Sequence, residues 1–191
     1  IAALLEVAGR DPTSVVASDL GFAVGPRLNA AGRLDDMSVG IECLLAPSTA
    51  IARDYAGRLQ QLNQDRRQIE RGMQQEALSL LENLPLQEQD GSPPAAIALY
   101  EPGWHQGVIG ILASRVKDRL HRPTIVFADA EPGGDELKGS ARSINGIHIR
   151  DVLDAVATRN PGLVTRFGGH AMAAGLSLPK AHYPAFAEAF V

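Results

Sequence analysis

The chain has one cysteine, Cys43, in 191 residues. No intrachain disulfide can form, so the fold rests on burial, and a packed thiol in a reducing compartment is the expectation. No run approaches the ~18 to 20 apolar residues that a membrane span needs. The N-terminal stretch also lacks the basic flank of a secretory signal, and together these absences predict a cytoplasmic chain with no membrane partner. The five histidines, His105, His121, His148, His170 and His182, are scattered; no HExxH, HxH or Asp-His-His run gathers metal ligands, so the chain itself is expected to bind no metal. There is no GxGxxG or GK[ST] phosphate loop, no local Ser/His/Asp signature and no internal repeat, which sets aside the common nucleotide folds and triad hydrolases. Nor is there an overall excess of positive charge: the net charge is -4 and the pI about 5.7.

That average hides a split. Residues 1–100 carry eight Lys and Arg against thirteen Asp and Glu, whereas residues 101–191 carry ten against nine. Nucleic-acid binding depends on a local basic footprint, so the acidic total permits a phosphate-binding cleft without predicting one. With 45% hydrophobic residues, the chain can bury the core of one medium domain or two small ones. It opens on Ile and closes on the apolar AFAEAFV, which reads as a piece of a longer protein.

Residues 48–84 read as one long helix, with Ile51, Tyr55, Leu59, Leu62, Ile69, Met73 and Leu80 at three- and four-residue steps and Ser48 or Thr49 as its cap. A helix of that length usually connects things. The polar QEQDGSPP at 87–94 then resets the chain as a loop. Beyond it, AAIALYE (95–101) and PTIVFAD (123–129) read as buried strands around the amphipathic helix VIGILASRVKDRL (108–120), a βαβ unit. ELKGSARSI (136–144) reads as a strand, HIRDVLDAVA (148–157) as a helix, AAGLSLP (173–179) as a strand and AHYPAFAEAF (181–190) as a closing helix. The second half is therefore an α/β domain with a mixed sheet flanked by helices. Residues 1–47 read as too small to form a core of their own.

Four segments could carry chemistry. In GPRLNAAGR, Gly25 and Pro26 break the chain while Arg27, Asn29 and Arg33 offer forked donors suited to phosphate, unless the arginines only neutralise Asp35 and Asp36. GWHQGVIG places Trp104 and His105 at the carboxyl edge of a strand, where open α/β sheets bind ligands; Trp104 also reads as a core aromatic. GSARS puts Ser140 and Arg142 on one side of a strand with Ser143 near its end, a polyanion surface or a solvated edge. FGGHAMAAG supplies the bare backbone of Gly168 and Gly169, a donor in His170, and small residues Ala171, Ala173 and Ala174 that admit a bulky partner. A glycine pair can equally be a tight turn. Phosphate is the ligand these groups suit, and no machinery to cleave it is visible.

In this order, with a long helix after the first, the four segments closely resemble the C-terminal half of the RecJ family of single-strand-specific DNA exonucleases, over essentially the whole chain. The resemblance implies a DHH phosphoesterase domain, holding two Mn²⁺ or Mg²⁺ ions, of which residues 1–47 form the tail. It implies a connecting helix over 48–86 and a DHH-associated, substrate-binding domain over 95–191. It implies that Gly168, Gly169 and an assisting His170 face substrate phosphate, that Arg27, Asn29, Arg33, Ser140, Arg142 and Ser143 line the strand's path, and that His105 lies nearby. The DHH metal motifs are missing from this sequence, so no metal would be held by this piece, and it would be inactive alone. Implied partners are single-stranded DNA and, through the longer protein, a single-strand-binding protein and a helicase; a monomer is expected. A binding module of another DHH-family phosphodiesterase, or of an alanyl-tRNA synthetase-like protein, is the alternative.

Overall fold

The computed structural model describes residues 1–83 and 94–191, which form two compact units, Ile1–Ile69 and Glu70–Val191. The expected end of the connecting helix at 84–86 and nearly all of the QEQDGSPP loop lie outside the described residues.

The first unit is helical: α1 (Ala2–Val7), α2 (Ala17–Asp19), α3 (Gly25–Leu34), α4 (Ser38–Leu45) and the start of α5 (Thr49–Asn83). Residues 1–47 share their core with the long helix, which supplies apolar area to it. Leu4, Leu5, Val24, Ala31, Val39 and Cys43 pack with Ala56 and Leu59 of α5 in one cluster. The Cys43 thiol is buried against the Ala52 carbonyl at 3.8 Å, and burial pushes its pKa up. GPRLNAAGR is not a break but α3 itself. A π-helical turn over Leu20–Val24 leads straight into α3, and proline in its first turn has no N–H to lose there, so Gly25 and Pro26 continue the helical run instead of breaking it. Ser48 caps α5, its Oγ accepting from the Ile51 N–H at 3.4 Å.

The second unit carries a five-stranded sheet in the order β1-β2-β3-β5-β4: β1 (Ile97–Tyr100), β2 (Thr124–Asp129), β3 (Glu136–Arg142), β4 (Arg166–Gly169) and β5 (Ala173–Pro179). β1 and β2 are parallel across the crossover helix α6 (Ile109–Leu120), and every other pairing is antiparallel. The sheet is mixed, as the sequence implies. β4 is the strand that sequence reasoning missed: FGG, read as open backbone, pairs along β5 with Gly168 opposite Gly175 and Gly169 opposite Ala174.

Helix α6 packs on β2 and β3. Helices α7 (Ile149–Arg159) and α8 (Tyr183–Phe190) enclose the main core, in which Ile125, Phe127, Leu137, Leu153, Leu178 and Phe186 are fully buried. β2 is covered on both faces and is accordingly apolar along its length, while β3 alternates, burying Leu137, Gly139 and Ala141 and leaving Lys138, Ser140 and Arg142 partly accessible. Gly139 is glycine because a Cβ there would sit 2.6 Å from both Leu176 and Phe127. At one end of the sheet Tyr100 and Lys180 both donate to the Asp129 carboxylate, at 2.8 and 2.9 Å. Burial raises the Asp129 pKa, but these two donors outweigh it and hold the carboxyl below its usual value. The Tyr183 hydroxyl donates to the Ala98 carbonyl at 3.2 Å, and burial pushes its pKa up to about 12.

Candidate nucleic-acid interface

Strand alternation and register together decide which side chains share a surface. On the face of β3, β5 and β4 that carries α6, the register sets three cross-strand rows: Lys138, Ser177 and Arg166; Ser140, Gly175 and Gly168; and Arg142 with Ala173. His170 closes the third row, its N–H donating to the Ala173 carbonyl at 2.8 Å. Helix α6 covers the β2 side of this face, where Thr124, Val126 and Ala128 are fully buried. On the β5–β4 side Arg166, Gly168, His170 and Gly175 are exposed. A recess of about 310 Å³ opens there, lined by Lys138, Arg166, Gly168, Gly175 and Ser177 together with Phe167 and Leu176.

The polar groups at the rim are held before any ligand arrives. Arg142 donates through one guanidinium nitrogen to Ser140 Oγ at 3.0 Å and to the Ala141 carbonyl at 2.7 Å. Gly110, in the first turn of α6, makes room for both: a Cβ there would lie 2.8 Å from the guanidinium and 3.0 Å from the hydroxyl. Lys138 donates to Gln106 at 3.2 Å, and Arg166 reaches the buried Ser177 hydroxyl at 3.5 Å. The hairpin carrying the glycines is tied down at its tip, where the Met172 and Ala171 carbonyls accept from the Ser143 and Ile149 N–H groups at 3.0 and 2.9 Å. A fixed guanidinium, a hydroxyl and accessible backbone on one surface form a geometry that receives a polyanion with little ordering cost.

The two neighbouring glycines are glycine for different reasons. Gly169 has φ +151°, and a Cβ on it would lie 2.4 Å from both the Ala173 carbonyl oxygen and Ala174 Cα. The hairpin alone requires it. Gly168 has no such constraint: a Cβ there would meet nothing within 4 Å, and the one on Gly175 only the Gly139 carbonyl at 3.9 Å. The bare backbone at 168 and 175 faces open space that none of the described residues fills.

Three further residues singled out in the sequence, Ser143, His105 and Trp104, are engaged within the second unit. Ser143 is 1% exposed and its hydroxyl donates to the Ile147 carbonyl at 2.6 Å, so it pins the loop after β3 and presents nothing to solvent. His105 accepts from the Gly107 N–H at 3.0 Å through Nδ1 and shapes the turn into α6. Trp104 is a core aromatic, 4% exposed, with its indole N–H donating to Glu76 at 2.7 Å. In the first unit Arg27 is 7% exposed and donates to the Ala23 carbonyl at 2.6 Å. Burial, with Arg67 nearby, lowers its pKa. Asn29 and Arg33, four residues apart on one face of α3, are exposed. Lys138, Arg166 and Ser177 were missed in the sequence, although the alternation of ELKGSAR already puts Lys138 on the side of Ser140 and Arg142. Among the described residues, no three His, Cys, Asp or Glu gather where a metal could be held.

Residues 93–191 match the DHHA1 domain family. The chain belongs to that family. Over its whole length it is 58% identical to the single-stranded-DNA-specific exonuclease RecJ of Dickeya dadantii, and covers 32% of that protein. The crystal structure of RecJ with Mg²⁺ from Thermus thermophilus superposes with a TM-score of 0.80 at 31% identity, over 98% of this chain and 27% of that one. The same protein with Mn²⁺ gives the same score and identity, over 25% of its length. The resemblance to RecJ therefore holds in both sequence and structure, and this DHHA1 chain spans about a third of the length of the curated relatives it matches. No helix among the described residues is long and apolar enough to cross a membrane.

Proposed function

We propose that this chain is the substrate-binding part of a metal-dependent, single-strand-specific 5′-to-3′ DNA exonuclease of repair and recombination, and that the open β3–β5–β4 face holds the DNA backbone. The observation that carries this is the surface itself: Arg142, Ser140 and His170 border two exposed glycines whose Cβ space is vacant. Backbone contacts of this kind hold a strand without reading its sequence. The guanidinium of Arg142 would take phosphate oxygens, Gly168 and Gly175 would let the strand lie against the sheet, and His170 would donate to a phosphate beside the row of Arg142. Arg27 would support α3 from within, while Asn29 and Arg33 on its exposed face would offer donors suited to phosphate. Residues 1–47 would be the tail of the catalytic domain, 48–86 the connecting helix and 95–191 the binding domain.

A two-metal centre fixes both the attacking and the leaving oxygen of a phosphodiester. The donors among the described residues do not suit one, since no three His, Cys, Asp or Glu gather there. Mn²⁺ or Mg²⁺ would belong to the part of such a protein that this chain does not cover. A single-strand-binding protein and a helicase would be met through that longer protein, and the chain itself would be a monomer.

The test is the salt dependence of single-stranded DNA binding by the purified chain. Affinity is expected to fall steeply with salt, by a log–log slope of about 0.7 for each phosphate neutralised, and Arg142→Gln should remove about one such increment. No nucleotide should be released with Mn²⁺ or Mg²⁺. Salt-independent binding, or release that scales with the concentration of pure chain, would overturn the reading.

A further inference from the structure

The recess on the open face is not used by Arg142, Ser140 or His170. Its polar walls are Lys138, Arg166 and Ser177, one row of the sheet, on the far side of the glycine row from Arg142. We infer that the recess walled by Lys138, Ser177 and Arg166 is a second phosphate subsite, so that one DNA strand is gripped at two points and passes over bare Gly168 and Gly175 between them. This rests on the proposed DNA-binding role of the face.

Three observations carry it. First, two cations from different strands converge on one recess over a buried hydroxyl: Arg166 is exposed, Ser177 is 3% exposed, and the guanidinium reaches its Oγ at 3.5 Å. Among the described residues no ion pair ties either cation to a carboxylate; Lys138 is held by the neutral Gln106 amide. Guanidinium and ammonium groups around a hydroxyl suit a phosphodiester oxygen. Second, the spacing is that of a strand, not of one ligand atom. Lys138 and Arg142 are four residues apart on one face of β3, about 13 Å, longer than one phosphate-to-phosphate step. A strand touching both rows must have an intervening nucleotide over the glycine row, where a side chain would obstruct it. Third, the footprint has an end. Glu136 follows on the same face of β3, opposite Pro179, and a carboxylate there repels a further phosphate.

The probes are a thymidine dinucleotide with a single phosphate, followed by NMR titration, and a thymidine decanucleotide, followed by fluorescence anisotropy, each against the complete chain over a range of salt. In the wild type the salt slope should rise from the short strand to the long one. In the Lys138→Gln/Arg166→Gln double variant the rise should shrink by about 1.4, or 0.7 for each cation, with long-strand affinity about tenfold lower or more. Arg166→Lys should restore most of its share, since it keeps the charge, and the melting temperature serves as the control for folding. If the double variant keeps the wild-type slope while Arg142→Gln still lowers it, the second subsite is wrong and the DNA-binding face stands. If Arg142→Gln leaves the slope unchanged as well, the face is not a DNA site and both readings fail together.

Discussion

One face of the sheet has two halves that differ in what covers them. Over β2, helix α6 fills the face with Ile109, Leu112, Ala113 and Val116, and the strand beneath answers with Thr124, Val126 and Ala128, all fully buried. Over β5 and β4 no apolar residues of that kind among the described residues stand above the strands; the same face presents Lys138, Arg166, Ser177, Gly168 and Gly175 around a recess. Residue type follows the covering: apolar where a helix takes the surface out of water, cationic and bare where the surface stays available. The covered half should thus answer to measurements of stability, and the open half to measurements of binding.

The largest effect expected is in the covered half. Leu112→Ala, at a fully buried position in α6, should cost about 2 to 5 kcal/mol in denaturant unfolding and leave the DNA affinity of the remaining folded protein unchanged. A drop in affinity without loss of stability would break the division. Next comes Gly169→Ala, which lies on the open half yet should behave as a structural substitution, losing roughly 1 to 3 kcal/mol through its φ of +151° and its clash with Ala173 and Ala174. Thermal melting checks it directly. Arg166→Gln, exposed and outside any apolar cluster, should shift stability by no more than about 0.5 kcal/mol while lowering the salt slope of DNA binding.

The smallest effect expected is a pH dependence that belongs to neither half. Burial raises the Tyr183 pKa to about 12 in the folded chain, above the ordinary tyrosine value of about 10. The neutral phenol is thus favoured by folding. Its contribution is complete below pH of about 10 and is lost as pH rises towards 12. Thermal unfolding of wild type and Tyr183→Phe across that range should show the wild type losing stability more steeply; parallel curves would remove Tyr183 from the account.

Most of the sheet was legible because its strands carry strong local signals. AAGLSLP is β5 residue for residue, and α6 follows its apolar period within one residue. β4 was not legible, because two of its four residues are glycine, which weakens strand propensity; the strand exists through its pairing with β5. Ser143 and Arg27 read as surface donors by type alone, yet each is buried and donates to a carbonyl four residues away, Ile147 and Ala23, a choice that residue type does not announce. Conversely, Lys138, Ser177 and Arg166 lie on three different strands and meet through antiparallel register, which no local pattern encodes. The glycine pair was read as one motif, yet its members answer to different constraints.

That difference gives the most direct test of the central claim, that Gly168 is bare for the sake of a ligand. Gly168→Val adds a side chain suited to a strand in space that is open to at least 4 Å around its Cβ. The measurement is single-stranded DNA affinity and melting temperature on the same preparation. The expected result is a melting temperature at or above that of the wild type and an affinity about tenfold lower or more. Wild-type affinity in a folded Gly168→Val chain would contradict it.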